Sequence, residues 1–212
     1  MKVFQISLLA LIVAVSCTDQ KEYLFNGENL DNWTIFVEDP NINPEEFFYV
    51  KDGMIETVGV PRGYLRTRKE YENYHLHVEW RYPEEPTNSG IFVHTSGPDL
   101  IWPAHYQGQL KYKNAGDFIV HGVGEKATLR DTVYTSAKDS KPLIPKERTS
   151  NEKEAGEWNS YDIICRDNTV ELIVNGLPQN EATNCSLTKG NIGLQAEGSK
   201  IQFRNLWVKM LD

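Results

Sequence analysis

The sequence predicts an all-β protein built as a sandwich of antiparallel sheets. Short stretches of alternating or β-branched residues recur along the chain. Turn signals such as Lys51-Asp52-Gly53 and Asn175-Gly176 separate them, and helical periodicity is hard to find after the first sixteen residues. Many short strands joined by turns within one domain are typical of a β-sandwich.

Residues 1–16 predict an export signal. One lysine precedes an apolar run that is too short to span a bilayer comfortably and that ends in small residues. The segment Ala14-Val15-Ser16-Cys17 resembles a bacterial lipobox, in which Cys17 becomes the lipidated start of the mature chain. An ordinary signal peptide with an incidental cysteine is the alternative. Residues 17–22 would form a polar tether, so we expect an exported lipoprotein of the cell envelope (outer membrane or periplasm), membrane-bound by its lipid anchor only.

The remaining chain, residues 23–212, is long enough for one well-buried domain, and no linker or composition break divides it. A net charge of −8, spread along the chain without a basic stripe, argues against nucleic acid as a partner. Cys165 and Cys185 lie in this domain. Because an exported chain meets an oxidising compartment, we expect a disulfide between them, with two small buried hydrophobic residues as the alternative.

The strands are predicted in order from alternation and turn signals. They cover residues 48–50, 53–58, 74–82, 90–95, 106–112, 117–121, 161–166, 169–174, 190–196 and 200–209. The segment 135–157 is charged, contains two prolines and lacks alternation, which predicts a long surface loop that could fold over a site.

Strand 74–82 has two chemically different faces. Its even-numbered residues, from Tyr74 to Tyr82, are apolar and are predicted to pack between the sheets. Its odd-numbered residues are polar and are predicted to point outward: His75, His77, Glu79 and Arg81. We expect His75, at the start of the strand, to be solvated.

Other predicted strands carry polar side chains in the same alternation. They are His94, Gln107, Gln109, Gln195, Glu197, Gln202 and Arg204. If these faces coincide, they form one polar surface, with Trp102 and Tyr106 close enough to add aromatic area. Such a surface suits a sugar, whose hydroxyls need donors and acceptors and whose C–H faces stack on rings. A solvated polar face without function is the alternative.

Several catalytic motifs are absent from the sequence. There is no Gly-x-Ser-x-Gly elbow, phosphate-binding glycine loop, His-Glu-x-x-His or Cys-x-x-Cys pair. The Glu-x-Asp-x-x-Glu strand of common endo-glucanase sandwiches is missing too, which argues against an ordinary retaining glycosidase. His75 and His77 could share a metal, although exposed histidines are more often solvated, and five histidines leave a divalent metal ion open.

An ordered series of segments over residues 23–211 resembles the 3-keto-disaccharide hydrolase family. It includes LFNGENLDNW, GYLRT, YENYHLHVEWR, NSGIFVH, NAGDF, GEWNSYDIIC and GNIGLQAEGSKIQFRNLWVK. The resemblance implies a concanavalin-like jelly-roll fold, one sheet of which has a concave polar face, and a carbohydrate substrate. It also implies cleavage of 3-keto-glycosides: a base removes the acidified C2 proton, the group on C1 leaves by elimination, and water adds.

The resemblance also implies roles for polar residues. Glu79, or a histidine such as His94, would be the base, and Arg81 its electrostatic partner. A further catalytic residue is Glu197, and the substrate contacts would be Trp102, Gln107, Gln109 and Arg204. At one position this chain departs from the family: relatives usually carry a carboxylate where it has Gln107, and this loss could remove a metal ligand or a catalytic group, or only alter specificity. The alternatives are a non-catalytic carbohydrate-binding module and a structural surface lipoprotein; the latter predicts that Glu79 and Glu197 lie far apart.

Overall fold

The computed structural model describes residues 20–212. The predicted export signal and Cys17 lie outside the described residues and stay predictions, which the mass of the mature N-terminus would check. In chain order the strands are β1 (Glu22–Tyr23), β2 (Trp33–Val37), β3 (Phe48–Lys51), β4 (Met54–Thr57), β5 (Gly63–Thr67), β6 (Tyr74–Arg81), β7 (Gly90–Ser96), β8 (Ala104–Gln109), β9 (Phe118–His121), β10 (Lys126–Leu129), β11 (Thr132–Thr135), β12 (Leu143–Ile144), β13 (Asn159–Arg166), β14 (Thr169–Val174), β15 (Leu177–Ala182), β16 (Asn191–Ala196) and β17 (Ile201–Met210). One short helix, α1 (Pro44–Phe47), precedes β3.

Two antiparallel sheets contain most of the strands. The first sheet has the order β15-β14-β13-β6-β17-β4-β3, with β1 paired to β17. The second sheet has the order β12-β9-β8-β7-β16-β5-β2, and β10 and β11 form a separate hairpin. The predicted all-β sandwich is confirmed.

The hydrophobic core lies between the two sheets. The even-numbered residues of β6 are almost fully buried there, as alternation predicts. In the second sheet, Ile91, Val93 and Tyr106 point inward to meet them. The sheets approach closely at Gly108, where a Cβ would lie 2.8 Å from the hydroxyl of Tyr161 on the facing sheet. Only glycine fits this position in β8 without displacing that tyrosine.

Two-residue turns close several hairpins. Asn175 and Gly176, between β14 and β15, have φ values of 46° and 75°. Asp52 and Gly53 repeat this conformation between β3 and β4. Positive φ at both central residues suits the right-handed twist of the flanking strands, so these sequences specify the hairpins locally.

Several short elements were not predicted from alternation. They are β1, β2, β5, β10, β11, β12, β15 and α1. Of these, α1 has a local signal of its own, because Asn43 accepts a hydrogen bond from the Glu45 amide and Pro44 occupies the first helical position. With four residues it is too short to cross a bilayer, and no longer apolar helix occurs among residues 20–212.

The predicted disulfide is wrong. Cys165, in β13, and Cys185, after β15, are free thiols, and both are buried. Each packs against a tyrosine hydroxyl, Tyr74 beside Cys165 and Tyr106 beside Cys185. The alternative, two small buried hydrophobic residues, describes them, because an oxidising compartment gives the opportunity for a bond but not its geometry.

Candidate functional site

The predicted polar surface is divided between the two sides of the sandwich. Glu79, Arg81 and Arg204 lie on the outer face of the first sheet, on β6 and β17. Gln107 and Glu197 lie on the outer face of the second sheet, on β8 and just after β16. The expectation that one surface holds both sets is wrong, because stacked sheets are about 10 Å apart and these side chains point away from each other.

Side chains hydrogen-bonded to one another cover the outer face of the first sheet. Asp162 Oδ1 lies 2.7 Å from His75 Nε2 and 2.9 Å from His77 Nδ1. Burial would raise the pKa of Asp162, but hydrogen bonds from the two histidines outweigh it and hold that pKa well below its usual range. His75 is therefore hydrogen-bonded to a carboxylate. The prediction that it is merely solvated is wrong.

Glu79 is part of the same paired surface. Its Oε2 accepts a hydrogen bond from Arg204 Nε at 2.6 Å and its Oε1 accepts one from Asn205 at 3.0 Å. Burial raises the pKa of Glu79, but these hydrogen bonds bring it below the ordinary value. A carboxylate with both oxygens occupied and a lowered pKa is a weak general base.

Arg81 lies beside Glu79 and is also engaged. Its Nε donates to Gln202 at 2.7 Å. The indole of Trp158 lies against both guanidinium groups, 4.6 Å from that of Arg81 and 3.9 Å from that of Arg204. Arg81 therefore stabilises a surface network and has no contact with Glu197.

His94 lies on neither outer face. The pairing registers of β7 with β8 and of β16 with β7 both shift beside it, and its own φ is 55°. This irregularity turns the ring inward, where its centroid lies 5.7 Å from that of Tyr74 and its Nδ1 lies 3.0 Å from the Leu187 carbonyl. Burial lowers the pKa of His94 to about 4, and the expectation of a base at the polar surface does not fit this position.

The outer face of the second sheet is polar and buried at the same time. Gln107 is 2 % exposed, Gln195 is 3 % exposed and His105 is fully buried, although all three point away from the core. The loop predicted over 135–157 contributes Lys141 and Leu143 to this face, as expected of a segment that folds over a site. A buried polar face on the outside of a sandwich indicates a built cleft.

The cleft contains a pocket of about 200 Å³. Its lining comprises Asn88, Trp102, Gln107, Gln109, Ile119, His121, Lys141, Leu143, Gln195 and Glu197. Four predicted site residues meet here: Trp102, Gln107, Gln109 and Glu197. Two lining residues were not predicted from the sequence. His121 could have been found from alternation at the end of β9, whereas Lys141 lies in an irregular segment that gives no signal.

A chain of amides leads across the pocket floor to its carboxylate. Gln107 Nε2 donates to Gln109 Oε1 at 3.2 Å and to Gln195 Oε1 at 3.0 Å. Gln195 Nε2 in turn donates to Glu197 Oε2 at 2.8 Å. Gly90 makes room for the chain, because a Cβ there would lie 2.4 Å from Gln107 Nε2.

The direction of this amide chain is set at both ends. At one end the backbone amides of residues 110 and 111 donate to Gln109 Oε1, and at the other Glu197 can only accept. Position 107 must therefore donate to two acceptors, which an amide can do and an ionised carboxylate cannot. The departure of Gln107 from the family pattern thus agrees with its neighbours in this chain.

Glu197 is held through one of its two oxygens. Its Oε2 accepts hydrogen bonds from Asn88 and Gln195, both at 2.8 Å, whereas its Oε1 has no hydrogen bond within residues 20–212. Lys141 lies in the same pocket, its ammonium 6.0 Å from the centre of the Trp102 indole. Partial burial lowers the pKa of Lys141, although Glu197 acts in the opposite direction.

Stacked rings form one wall of the pocket. His105 lies 3.8 Å from Phe92 and 4.1 Å from His121, centroid to centroid. His105 Nε2 and both ring nitrogens of His121 are buried without a hydrogen-bond partner in the described chain. Burial lowers the pKa of His105 to about 3 and lowers that of His121 further, so these imidazoles are neutral at pH 7.

The residues at this site do not form a metal centre. Within residues 20–212 no group of three His, Cys, Asp or Glu side chains is arranged to hold a metal ion. In the pocket, Glu197 is the one carboxylate, and the two nearest imidazoles stack face to face.

Comparison with known proteins gives the family. The model of the 3-keto-alpha-glucoside-1,2-lyase-like domain matches residues 20–209. The chain belongs to this family. The resemblance found in the sequence is thereby confirmed. No match was found among curated proteins.

Solved structures of this family's fold agree with the sandwich described above. A candidate glycosyl hydrolase from Parabacteroides distasonis is 24 % identical, with a TM-score of 0.67 over 91 % of this chain and 94 % of that one. The β-glucanase of Bacillus licheniformis is 13 % identical (TM-score 0.59; 90 % and 97 % covered), and the carbohydrate-binding module CBM66 of Bacillus subtilis is 7 % identical (0.57; 84 % and 95 %). The fold is a concanavalin-like jelly roll.

Proposed function

We propose that this protein is a carbohydrate-active enzyme that cleaves the glycosidic bond of 3-keto-glycosides in the pocket of the second sheet. Family membership supports the reaction class. The observation that carries the assignment to this pocket is Glu197, the one carboxylate in its lining, held through Oε2 with Oε1 left for substrate. The carboxylate of Glu79, in contrast, is fully engaged on the opposite side of the molecule.

The proposed reaction is an elimination followed by hydration. The ketone at C3 acidifies the hydrogen on C2, and Glu197 Oε1 takes that proton. The electron pair of the C2–H bond forms a C1=C2 double bond, while the C1–O bond breaks and its pair leaves with the aglycone. Water then adds across the double bond: its hydroxyl goes to C1, Glu197 returns the proton to C2, and the remaining proton of the water goes to the oxygen of the departed aglycone.

Other pocket residues match the needs of this reaction. The Lys141 ammonium can stabilise negative charge that develops on the substrate oxygens. Trp102 offers a ring against which a sugar face stacks, and the buried amides and His121 nitrogens can hydrogen-bond hydroxyl groups. Because His121 is neutral, it can donate or accept without competing for the proton of C2.

The test is release of the aglycone from 4-nitrophenyl 3-keto-glucoside by purified protein. Glu197→Gln keeps the amide contacts but removes the base, so kcat should fall by at least about 100-fold. The matched control Glu79→Gln should stay within about twofold of the wild type, since that side chain does not face the pocket. No turnover by the wild type, or equal losses in both variants, would reject the assignment.

A second candidate is carbohydrate binding without catalysis. It is favoured by one observation: among residues 20–212 no second carboxylate lines the pocket to act as an acid. It predicts saturable binding of the 3-keto-glucoside by calorimetry without release of nitrophenol, and weaker binding in Trp102→Ala.

A further inference from the structure

A second cleft adjoins the pocket described above. It has a volume of about 530 Å³ and lies between the segments 96–104 and 136–141, with Val123 at its edge. Trp102 and Lys141 line both cavities. A molecule bound in the polar pocket can therefore extend into this cleft past the indole and the ammonium group.

The lining of the cleft is mainly apolar, whereas the lining of the pocket is mainly polar. Leu100, Ile101 and Trp102 form one side, and Val123 borders it from the segment after β9. Leu100 is 55 % exposed and Val123 is 74 % exposed, so hydrophobic surface is open to solvent here. Exposed apolar surface that continues a binding site is expected to be covered by a ligand.

The charge of the cleft is also unusual for this chain. In the part of the chain that the structure describes, its lining includes Lys138 and Lys141 but no carboxylate, although the whole chain carries a net charge of −8. Ser136 lines the cleft as well, is 2 % exposed, and its hydroxyl has no hydrogen-bond partner in the described chain. Two ammonium groups and a free hydroxyl suit an anion.

We infer that this cleft binds the aglycone of the 3-keto-glycoside, and that the preferred aglycone is an aromatic ring with an anionic substituent. The inference rests on the proposed function for the site of bond cleavage. A sugar in this position would find few side-chain partners for its hydroxyls, whereas an aromatic ring fits between Trp102, Leu100 and Val123. A phenolate also leaves without a proton donor, which suits a site with one carboxylate.

The experiment compares three 3-keto-glucosides: 4-carboxyphenyl, 4-(aminomethyl)phenyl and a 3-keto-disaccharide. The first two have phenolic leaving groups of similar acidity but opposite charge. We expect kcat/KM for the carboxyphenyl substrate to exceed that for the aminomethyl substrate by about fivefold at low salt, and the disaccharide to be the poorest. Lys138→Glu should remove or reverse this preference, and Lys51→Glu, an equal charge change on an exposed residue of β3, should leave it unchanged.

A binding experiment separates this inference from the proposed reaction. Calorimetry with 4-hydroxybenzoate and with tyramine measures binding without turnover. We expect saturable binding of 4-hydroxybenzoate and none of tyramine. The affinity for 4-hydroxybenzoate should be weaker in Leu100→Ser and in Lys138→Glu. Benzoate binding without turnover of any 3-keto-glucoside rejects the proposed reaction but keeps the cleft as an aromatic-anion site. Turnover with equal kcat/KM for both aryl substrates and no benzoate binding keeps the reaction and rejects the cleft assignment.

Discussion

The outer faces of the two sheets are both rich in polar side chains, but these side chains differ in burial and in hydrogen bonding. On the first sheet, Asp162 and Glu79 are each 23 % exposed, and each is paired with cationic or imidazole neighbours. On the second sheet, Gln107 is 2 % exposed, and His105 Nε2 and both ring nitrogens of His121 are buried without a hydrogen-bond partner among residues 20–212. Polar groups that satisfy one another stabilise a surface, whereas buried polar groups without partners indicate a place for a ligand.

This difference shows why charge alone is a poor guide to the site. The four outward residues of β6 have the strongest polar pattern in the chain, yet they belong to the self-satisfied face. The pocket is built mainly from amides, aromatic rings and a single carboxylate. Three predictions, in order of decreasing effect, test the contrast between the faces.

The largest expected effect is a loss of stability in acid that originates in the buried histidines. Burial lowers the pKa of His105 to about 3 and of His94 to about 4, and His121 is shifted in the same direction. Below pH 6.5 these histidines are protonated in the unfolded chain but stay neutral in the folded chain. The free energy of unfolding therefore falls by about 1.4 kcal/mol per histidine and pH unit. We expect the free energy of unfolding to fall by about 5 kcal/mol between pH 7 and pH 5.

Urea unfolding at pH 7, 6 and 5 measures this loss. His105→Phe, which preserves the ring stack with Phe92, should remove about a third of the loss. His77→Asn, on the paired face, should leave the loss undiminished. If His77→Asn flattened the pH dependence as much as His105→Phe, the contrast between the two faces would be wrong.

The next effect concerns the direction of the amide chain. Gln107→Glu places a carboxylate against two acceptor oxygens, so we expect a loss of about 1–3 kcal/mol in the free energy of unfolding at pH 7, and less at pH 5. Gln109→Glu is the matched control: it also buries a new charge, but its Oε1 already accepts hydrogen bonds from two backbone amides, so its loss should be clearly smaller than that of Gln107→Glu. Equal losses in both variants would show that the chain has no fixed direction.

The smallest effect distinguishes Trp158, on the outer face of the first sheet, from Trp102, on that of the second. Trp158→Ala removes contacts with Arg81 and Arg204 and should lower the free energy of unfolding by about 1 kcal/mol, without changing the affinity for a 3-keto-glucoside. Trp102→Ala should do the reverse, with affinity about tenfold weaker and stability little changed. Thermal unfolding and calorimetry measure the two quantities, and weaker sugar binding in Trp158→Ala would place a sugar contact on the first sheet.

Much of the fold could be predicted from local sequence. Alternation in β6 and β13 and the Asn175-Gly176 turn act over a few residues and are visible in the sequence. The two-residue strands β1 and β12 gave too short a pattern, and β12 arises only because Leu143 and Ile144 meet β9. The resemblance to the family supplied the jelly-roll arrangement that local patterns do not contain.

The site was harder to predict, because sheet membership is a property of distant pairing. Alternation predicts correctly that the side chains of Glu79 and Glu197 both point away from the core. It does not show on which side of the sandwich each of them lies. That depends on β6 pairing with β13 and β17, and on β16 pairing with β5 and β7. The inward orientation of His94 depends on irregular strand pairing on both sides of β7. The residues near His94 in the sequence do not predict it.

The two core cysteines have a consequence for how the protein can be handled and where it can fold. Burial raises the pKa of both thiols to about 12, so at pH 7 only about one in 10⁵ is present as the thiolate that attacks disulfides. Within residues 20–212 the folded domain therefore needs neither an oxidant to reach its native state nor a reductant to keep it. Its fold should be the same in a reducing and in an oxidising compartment.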